Sequence, residues 1–340
     1  PDYAAAVANL ALVRRDQGKF ADALDACDSA LQQQPDNPTW RTNRATLLLQ
    51  MGRFREGWAE YEWRWRAEGF VRDADRSPLP RWDGSDPAGR TILLRGEQGL
   101  GSMIQFARYA PLLAAAGARV MLQCPVPLQR LFAASFLPPH GPLAAVVTPV
   151  EVLPAVDAQV PLMSLPHLCR TTLATIPAAI PYLRAEPDAV ALWDQRLGHD
   201  DHRPRVGLVW AGNSSHANDR HRSMPPEALL PLLTSAAARF VSLQQGRQPP
   251  AVLDSAGLID ASAMLTDFAA TAAAVACLDL LISVDTAVAH LAGALAKPVW
   301  LLVPPVPEWR WLADRDDSPW YPTMRLFRQS RLGDWNELIQ

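Results

Sequence analysis

Self-similarity near the start of the sequence constrains the fold more than any other feature. Residues 17–24 (QGKFADAL) return as residues 51–58 (MGRFREGW), an offset of 34 positions. Two antiparallel helices and their turns fill such a period. In the first unit Leu10, Ala11, Gly18, Phe20, Ala23, Ala30 and Pro35 fall where paired helices need small, turning and packing residues. The second unit keeps Ala45, Gly52, Phe54 and Tyr61 but carries Arg64 where a small residue belongs, so it reads as a terminal unit. Trp58, Tyr61 and Trp65 stand at i, i+3 and i+7, an apolar stripe expected to dock on whatever follows.

The period is that of the tetratricopeptide repeat (TPR), whose arrays need about three units to stand alone. Two units serve either as a groove for a protein partner or acceptor, or as a structural cap. Proline, glycine and charge then dominate to position 90, which reads as a linker. Beyond it, short apolar runs alternate with helical patterns. Residues 91–95, 119–123 and 144–147 read as strands, with helices over 103–116 and 128–134. A second series follows: strands over 205–210, 240–243, 278–284 and 299–303, with helices near 227–237, 268–276 and 286–295. Alternation of this kind specifies parallel sheets covered by helices. The expected division is a TPR helical segment at 1–68, a linker at 69–90, an N-terminal Rossmann-like domain at 91–190 and a C-terminal one at 204–340. The last segment is expected to pack back on the N-terminal domain, and the charged, proline-flanked stretch 183–203 reads as a hinge.

With 49% hydrophobic and 20% charged residues the chain is globular throughout. A formal net charge of −3 speaks against a nucleic-acid partner, which calls for a strongly basic face. No apolar run reaches the roughly 18 residues of a membrane span, and no leader pattern opens the sequence, so a cytoplasmic protein is expected. Cys27, Cys124, Cys169 and Cys277 are scattered in apolar stretches and read as reduced core residues. No metal is expected, because the carboxylates lack ligand spacing and residues 199–202 (HDDH) read as a solvated linker.

Each candidate for chemistry follows a strand or clusters near the carboxyl end. Gly96, Glu97, Gln98, Gly99, Leu100, Gly101 and Ser102 form a glycine-rich strand-to-helix turn that either admits a ligand to the backbone or is a plain tight turn. Ile104 stands where a dinucleotide fingerprint needs its third glycine, and no P-loop lysine is near. Asp285, Thr286, Ala287 and His290 lie where a strand meets a helix. Thr286 is a natural N-cap, and His290, four residues on, shares its face, so hydroxyl, imidazole and helix-end amides can meet a diphosphate. The alternative is a capping threonine beside a core histidine. Asn213, Arg222 and Arg220 occupy the polar loop after the strand at 205–210, and Gln244 ends the next strand. In residues 307–329, Trp309, Trp311, Trp320 and Tyr321 either stack a ligand or clamp two domains. Hydrolytic Ser/His/Asp chemistry is disfavoured, since no G-x-S-x-G elbow occurs.

Taken together, GEQGLG with IQFARYAPLL, VGLVWAGN, DTAVAHLAGAL, KPVW, EWRW and RDDSPWYPTMRLFRQ resemble the bacterial TPR-containing glycosyltransferase-like proteins. They are similar to the heptosyltransferase group of GT-B enzymes and, more distantly, to protein O-GlcNAc transferases. The resemblance implies an α/β fold: a GT-B-type pair of Rossmann-like domains behind a short all-α TPR segment. Acceptor would bind mainly to the first domain and a nucleotide-diphosphate sugar to the second, with no cofactor. Transfer would be inverting and metal-independent. Asp285, Thr286 and His290 match the family's donor-diphosphate motif, in a groove open between the domains, and Arg222 lies near a basic phosphate contact. The turn at 99–101 would face the acceptor. Ser102 stands where the family carries an aspartate that resembles a general base, and a hydroxyl is no base at neutral pH. Either Glu97 in the same turn or another carboxylate brought in as the domains close is the expected substitute. The alternative is a catalytically silent TPR binding module that retains the nucleotide-sugar cleft.

Overall fold

The computed structural model describes residues 2–67, 79–151, 153–198, 202–215, 218–235 and 238–339. Residue 68 of the expected TPR segment, residues 69–78 of the expected linker and 199–201 of the HDDH stretch lie outside the described residues. Helices Asp2–Asp16, Phe20–Gln33, Pro38–Gln50 and Phe54–Tyr61 pack as two successive hairpins. Gly18 and Gly52 sit at the turns with φ of 74° and 75°, which only glycine adopts freely. The fourth helix tightens into a 3-10 turn, Glu62–Arg66. Trp65 therefore leaves the apolar stripe and lies between the guanidinium groups of Arg64 and Arg81.

The first sheet comprises β1 (Thr91–Arg95), β2 (Arg119–Gln123), β3 (Ala145–Val147) and β4 (Ala158–Pro161), all parallel in the order β3-β2-β1-β4. Ile92, Leu93 and Leu94 are buried on both faces of β1, as a helix-covered parallel sheet requires. The second sheet holds β5 (Arg205–Val209), β6 (Arg239–Ser242), β7 (Ile259–Asp260), β8 (Leu280–Val284), β9 (Val299–Val303) and β10 (Met324–Arg328). These strands too are parallel, in the order β10-β9-β8-β5-β6-β7.

Several expectations change. Residues 79–82 are not a free linker: the Trp82 N–H donates to the Gln159 carbonyl of β4, the Gln159 N–H donates to the Pro80 carbonyl, and the Trp82 side chain is buried. The stretch read as a hinge contains helix Pro187–Leu197, whose Trp193 and Leu197 are buried. The helix expected over 103–116 breaks into Leu100–Phe106, a 3-10 turn and Ala110–Ala115. Pro111, at the start of the last piece, has no N–H to continue the first.

One core runs through all three parts, from Ala45 and Trp58 through Phe106 to Trp320. Trp58 is its hub, with edge-on contacts to Phe106 of the first α/β unit and to Trp309 and Trp320 of the second. Each such aromatic pair contributes about 0.5–1.5 kcal/mol beyond its burial. The TPR hairpins are thus fixed to both α/β units at once.

Candidate functional site

In the second sheet the chain runs from β5 outward to β6 and β7, then crosses back to β8 on the other flank of β5. The carboxyl ends of β5 and β8 are therefore a topological switch point, where α/β sheets open a crevice. In the first sheet the corresponding point lies between β1 and β4. The glycine-rich turn after β1 and the Asp285–Thr286 junction after β8 both fall at such places.

Thr286 caps the helix Ala287–Ala294, its hydroxyl accepting from the Ala289 N–H. His290 Nδ1 lies 3.0 Å from the Tyr321 hydroxyl. Its ring stacks on Trp311 at 5.1 Å, and Nε2 stands 3.9 Å from Asp285 Oδ1. Burial, reinforced by Arg310, Arg108 and Arg222, holds the imidazole well below its ordinary pKa. It is a neutral hydrogen-bonding group at pH 7.

The open groove expected at His290 is closed in this structure. The side chain is only 4% exposed, because helix Leu100–Phe106 packs directly on Ala287–Ala294. A Cβ at Gly101 would lie 2.8 Å from His290 Cδ2 and 3.4 Å from Ala287 Cα. Glycine at 101 thus serves close approach of the two α/β units. Gly99 leaves its own surroundings open, with no atom within 4 Å of a Cβ built there.

Glu97 is also placed differently from the expectation that it replaces the missing base. Its carboxylate accepts from Arg64 Nε and NH2 at 3.2 and 2.9 Å and from the Met163 N–H at 2.9 Å. Only 6% of it is exposed. Glu97 is the buried counter-ion of Arg64, the residue that broke the repeat pattern. Gln98, in the left-handed region with φ of 61°, donates to the Tyr61 hydroxyl at 2.8 Å. The end of the TPR segment therefore covers the first sheet's crevice.

Ser102 meets a residue of the other unit. Arg310 NH2 donates to Ser102 Oγ at 2.8 Å, Arg310 Nε to Gln105 Oε1 at 2.6 Å and Arg310 NH1 to Glu308 Oε1 at 2.5 Å. Glu308 and Arg310 were not singled out as site residues in the sequence. Their signal was an acid and a base two positions apart in the EWRW motif, in the loop that follows β9.

The loop after β5 is built on Gln244. That amide accepts from the Trp210 and Ala211 N–H groups and donates to the Ala211 and Gln245 carbonyls, so it positions the loop and has no group left for a ligand. Asn213 accepts from Ser215 N–H and hydroxyl. Arg222 lies over Gly212, where any Cβ would strike its guanidinium. Beside them a cavity of about 530 Å³ is lined by Ser214, Arg220, Ser223 and Arg247. Asp219 anchors its wall, accepting from Arg247 at 2.6 Å and from Ser223 at 2.8 Å.

Three buried donors in this region lack acceptors: Trp311 Nε1, Gln105 Nε2 and Arg222 Nε. The Asp219 carboxylate stands 3.5 Å from the last. Buried polar groups of this kind pay their desolvation in full until a partner reaches them. Among the described residues no three His, Cys, Asp or Glu side chains converge as metal ligands would, and no helix is long and apolar enough to cross a membrane.

These features define the class: a TPR segment joined to a GT-B-type pair of Rossmann-like α/β units, the fold of glycosyltransferases. Residues 14–57 match the tetratricopeptide repeat family. The glycosyl transferase family 9 structure from Veillonella parvula shares the fold at a TM-score of 0.53 and 11% identity, over 73% of this chain and 88% of that one. TibC from enterotoxigenic E. coli, described as an iron-containing dodecameric glycosyltransferase, gives 0.50 at 15% identity, over 73% of this chain and 65% of TibC. Protein FlbA of Caulobacter vibrioides is 30% identical over 364 residues, which takes in 98% of this chain and 60% of FlbA. The chain spans about three fifths of that relative.

Proposed function

We propose that the chain is a glycosyltransferase that draws on a nucleotide-diphosphate sugar and glycosylates a protein or saccharide acceptor. The basic cavity at the carboxyl edge of the second sheet carries the reading. It is lined by Arg220 and Arg247, with Asp219 paired to Arg247 and 3.5 Å from Arg222 Nε, and it lies in the loop after β5, the strand beside β8 and its Thr286 helix start. The nucleotide occupies this cavity. Its phosphates reach toward Arg222, Thr286 and the amides of the capped helix, which buried His290 supports from behind.

Arginine and helix-end amides stabilise the charge that develops on the departing phosphate; that transfer is metal-independent and inverting is what the family resemblance implies. Asp285, Thr286, Ala287 and Arg222 are the donor contacts. Gly99, Gly101 and Gln98 border the acceptor side, and the TPR hairpins present a protein acceptor or partner. A cytoplasmic setting, where activated sugars are made, suits this reading.

One observation favours a second reading. Ser102 bears no carboxylate, and its hydroxyl is held by Arg310, as in a silent module that binds nucleotide-sugar without transfer. Incubating the purified protein with UDP-, GDP- and ADP-linked sugars and measuring nucleotide release separates the two. Turnover is expected from the parent protein. Binding without turnover, in the parent and in Ser102→Asp alike, supports the silent module.

A further inference from the structure

The unit facing the acceptor has no free carboxylate at its glycine-rich turn, since Ser102 has none and Glu97 is committed to Arg64. A transferase of this kind still has to remove a proton from the acceptor hydroxyl. One carboxylate of the other unit is tied to the same guanidinium as Ser102. Arg310 holds Ser102 Oγ with one terminal nitrogen and Glu308 Oε1 with the other, so serine and carboxylate share one guanidinium.

Glu308 sits in the loop after β9, beside the Asp285 junction that follows the neighbouring strand β8. A third of its side chain is exposed, against 6% for Glu97. Its Oε2 accepts the Arg310 N–H at 3.0 Å, and each oxygen keeps a further lone pair. Position 102 and Glu308 thus lie on opposite sides of the interface, at the point where the units meet.

We propose that Glu308, oriented by Arg310, is the catalytic residue that takes the acceptor's proton, supplying from the donor-side unit the carboxylate that Ser102 lacks. The assignment rests on the transferase reading above. In the step, the acceptor oxygen bonds to the anomeric carbon, while the bond from that carbon to the donor phosphate oxygen breaks and its electron pair leaves with the phosphate. The acceptor proton passes to the Glu308 carboxylate. Burial and nearby Asp285 raise the Glu308 pKa against the opposing pull of Arg310, which strengthens it as a base.

The closing experiment compares parent, Glu308→Gln, Glu308→Asp and the double variant Glu308→Gln with Ser102→Asp. It measures kcat, donor KM and nucleotide affinity for each. Loss of general base catalysis is worth about 10²–10⁴-fold. Glu308→Gln should lose at least that lower bound in kcat with nucleotide affinity kept within threefold, and Glu308→Asp should retain an intermediate rate. The double variant, with a carboxylate restored to the same guanidinium, should regain at least tenfold over Glu308→Gln.

A Glu308→Gln rate within twofold of an active parent overturns the Glu308 assignment and leaves the transferase reading standing. A parent that turns over no donor contradicts both. Should Glu308→Gln fail to fold, the acid limb of the parent kcat profile decides. A limb above the ordinary glutamate range that moves in Glu308→Asp supports the assignment, and one that stays fixed overturns it.

Discussion

Arg64 and Glu97 form a fully buried ion pair that joins the last turn of the TPR segment to the first strand-to-helix turn of the α/β fold, with NH2 2.9 Å from Oε1. Ser164, in the turn after β4, accepts from the same guanidinium at 2.8 Å. The pair lies across the crevice of the first sheet and fixes the TPR hairpins against it. Removing one partner of a buried pair strands the other charge, at a cost of about 3–5 kcal/mol. Arg64→Ala should lower the free energy of urea unfolding by that order, and Glu97→Gln by less, since Arg64 keeps Glu62 at 2.7 Å. Paired substitution by apolar residues should cost less than either. Equal losses for the single and paired variants would show that the ion pair itself is not what joins the segments.

Gly101 offers a steric test of the closed interface. The two helices it joins approach until an added Cβ would lie 2.8 Å from the His290 ring. Gly101→Ala should destabilise the protein by about 1–3 kcal/mol, as overpacking does. The companion change Gly99→Ala meets no atom within 4 Å and should leave unfolding nearly unchanged. Chemical denaturation of the two variants side by side reads the difference.

His290 gives the stability a pH dependence of known sign. Its folded pKa is depressed well below the ordinary 6.5, so on acidification the unfolded chain binds this proton first. Its effect is absent above about pH 7. Stability then falls as pH drops through 6.5 toward the folded value, at up to about 1.4 kcal/mol per pH unit. His290→Asn should flatten the slope between pH 7 and 5. An unchanged slope in that variant would place the titrating group elsewhere.

Trp320 tests whether the carboxyl segment fixes the three parts together. It stacks on Phe54 and meets Trp58 and Phe106 edge-on, and its carbonyl accepts from Arg108. Trp320→Ala should cost about 3–5 kcal/mol, the usual loss for a buried tryptophan. Limited proteolysis should then release the TPR segment sooner than in the parent protein.

Much of this architecture was legible in the residues. The 34-residue offset announced the paired helices, and the runs at β1, β5 and β8 announced buried parallel strands. Thr286 was visible as an N-cap because a hydroxyl between a strand and a helix has little else to do. Other elements carried weaker signals. β10 lies inside a segment crowded with tryptophan and charge, and the short helix Pro187–Leu197 blurs its inner face of Val190, Trp193 and Leu197 with an exposed Leu192 on the other side.

The site was harder to read because its pairings are made across the chain. Glu97 looked free only while Arg64, 33 positions earlier, looked like a flaw in a repeat. Glu308 and Arg310 gained meaning only once the fold set them against Ser102, more than 200 positions away. Gln244 likewise looked like a ligand contact until its amide was seen spent on the backbone of the loop after β5.

The central claim, that the carboxyl edge of the second sheet holds an activated sugar nucleotide, is tested most directly by nucleotide binding. Thermal unfolding of the parent protein and of Arg220→Ala with Arg247→Ala is followed with uridine, guanosine, adenosine and cytidine mono- and diphosphates. At a hundredfold excess over Kd a bound nucleotide stabilises by about 2.7 kcal/mol. At least one nucleotide should raise the parent midpoint, and the double variant should lose that rise. No rise with any nucleotide, or an equal rise in the double variant, would contradict the account.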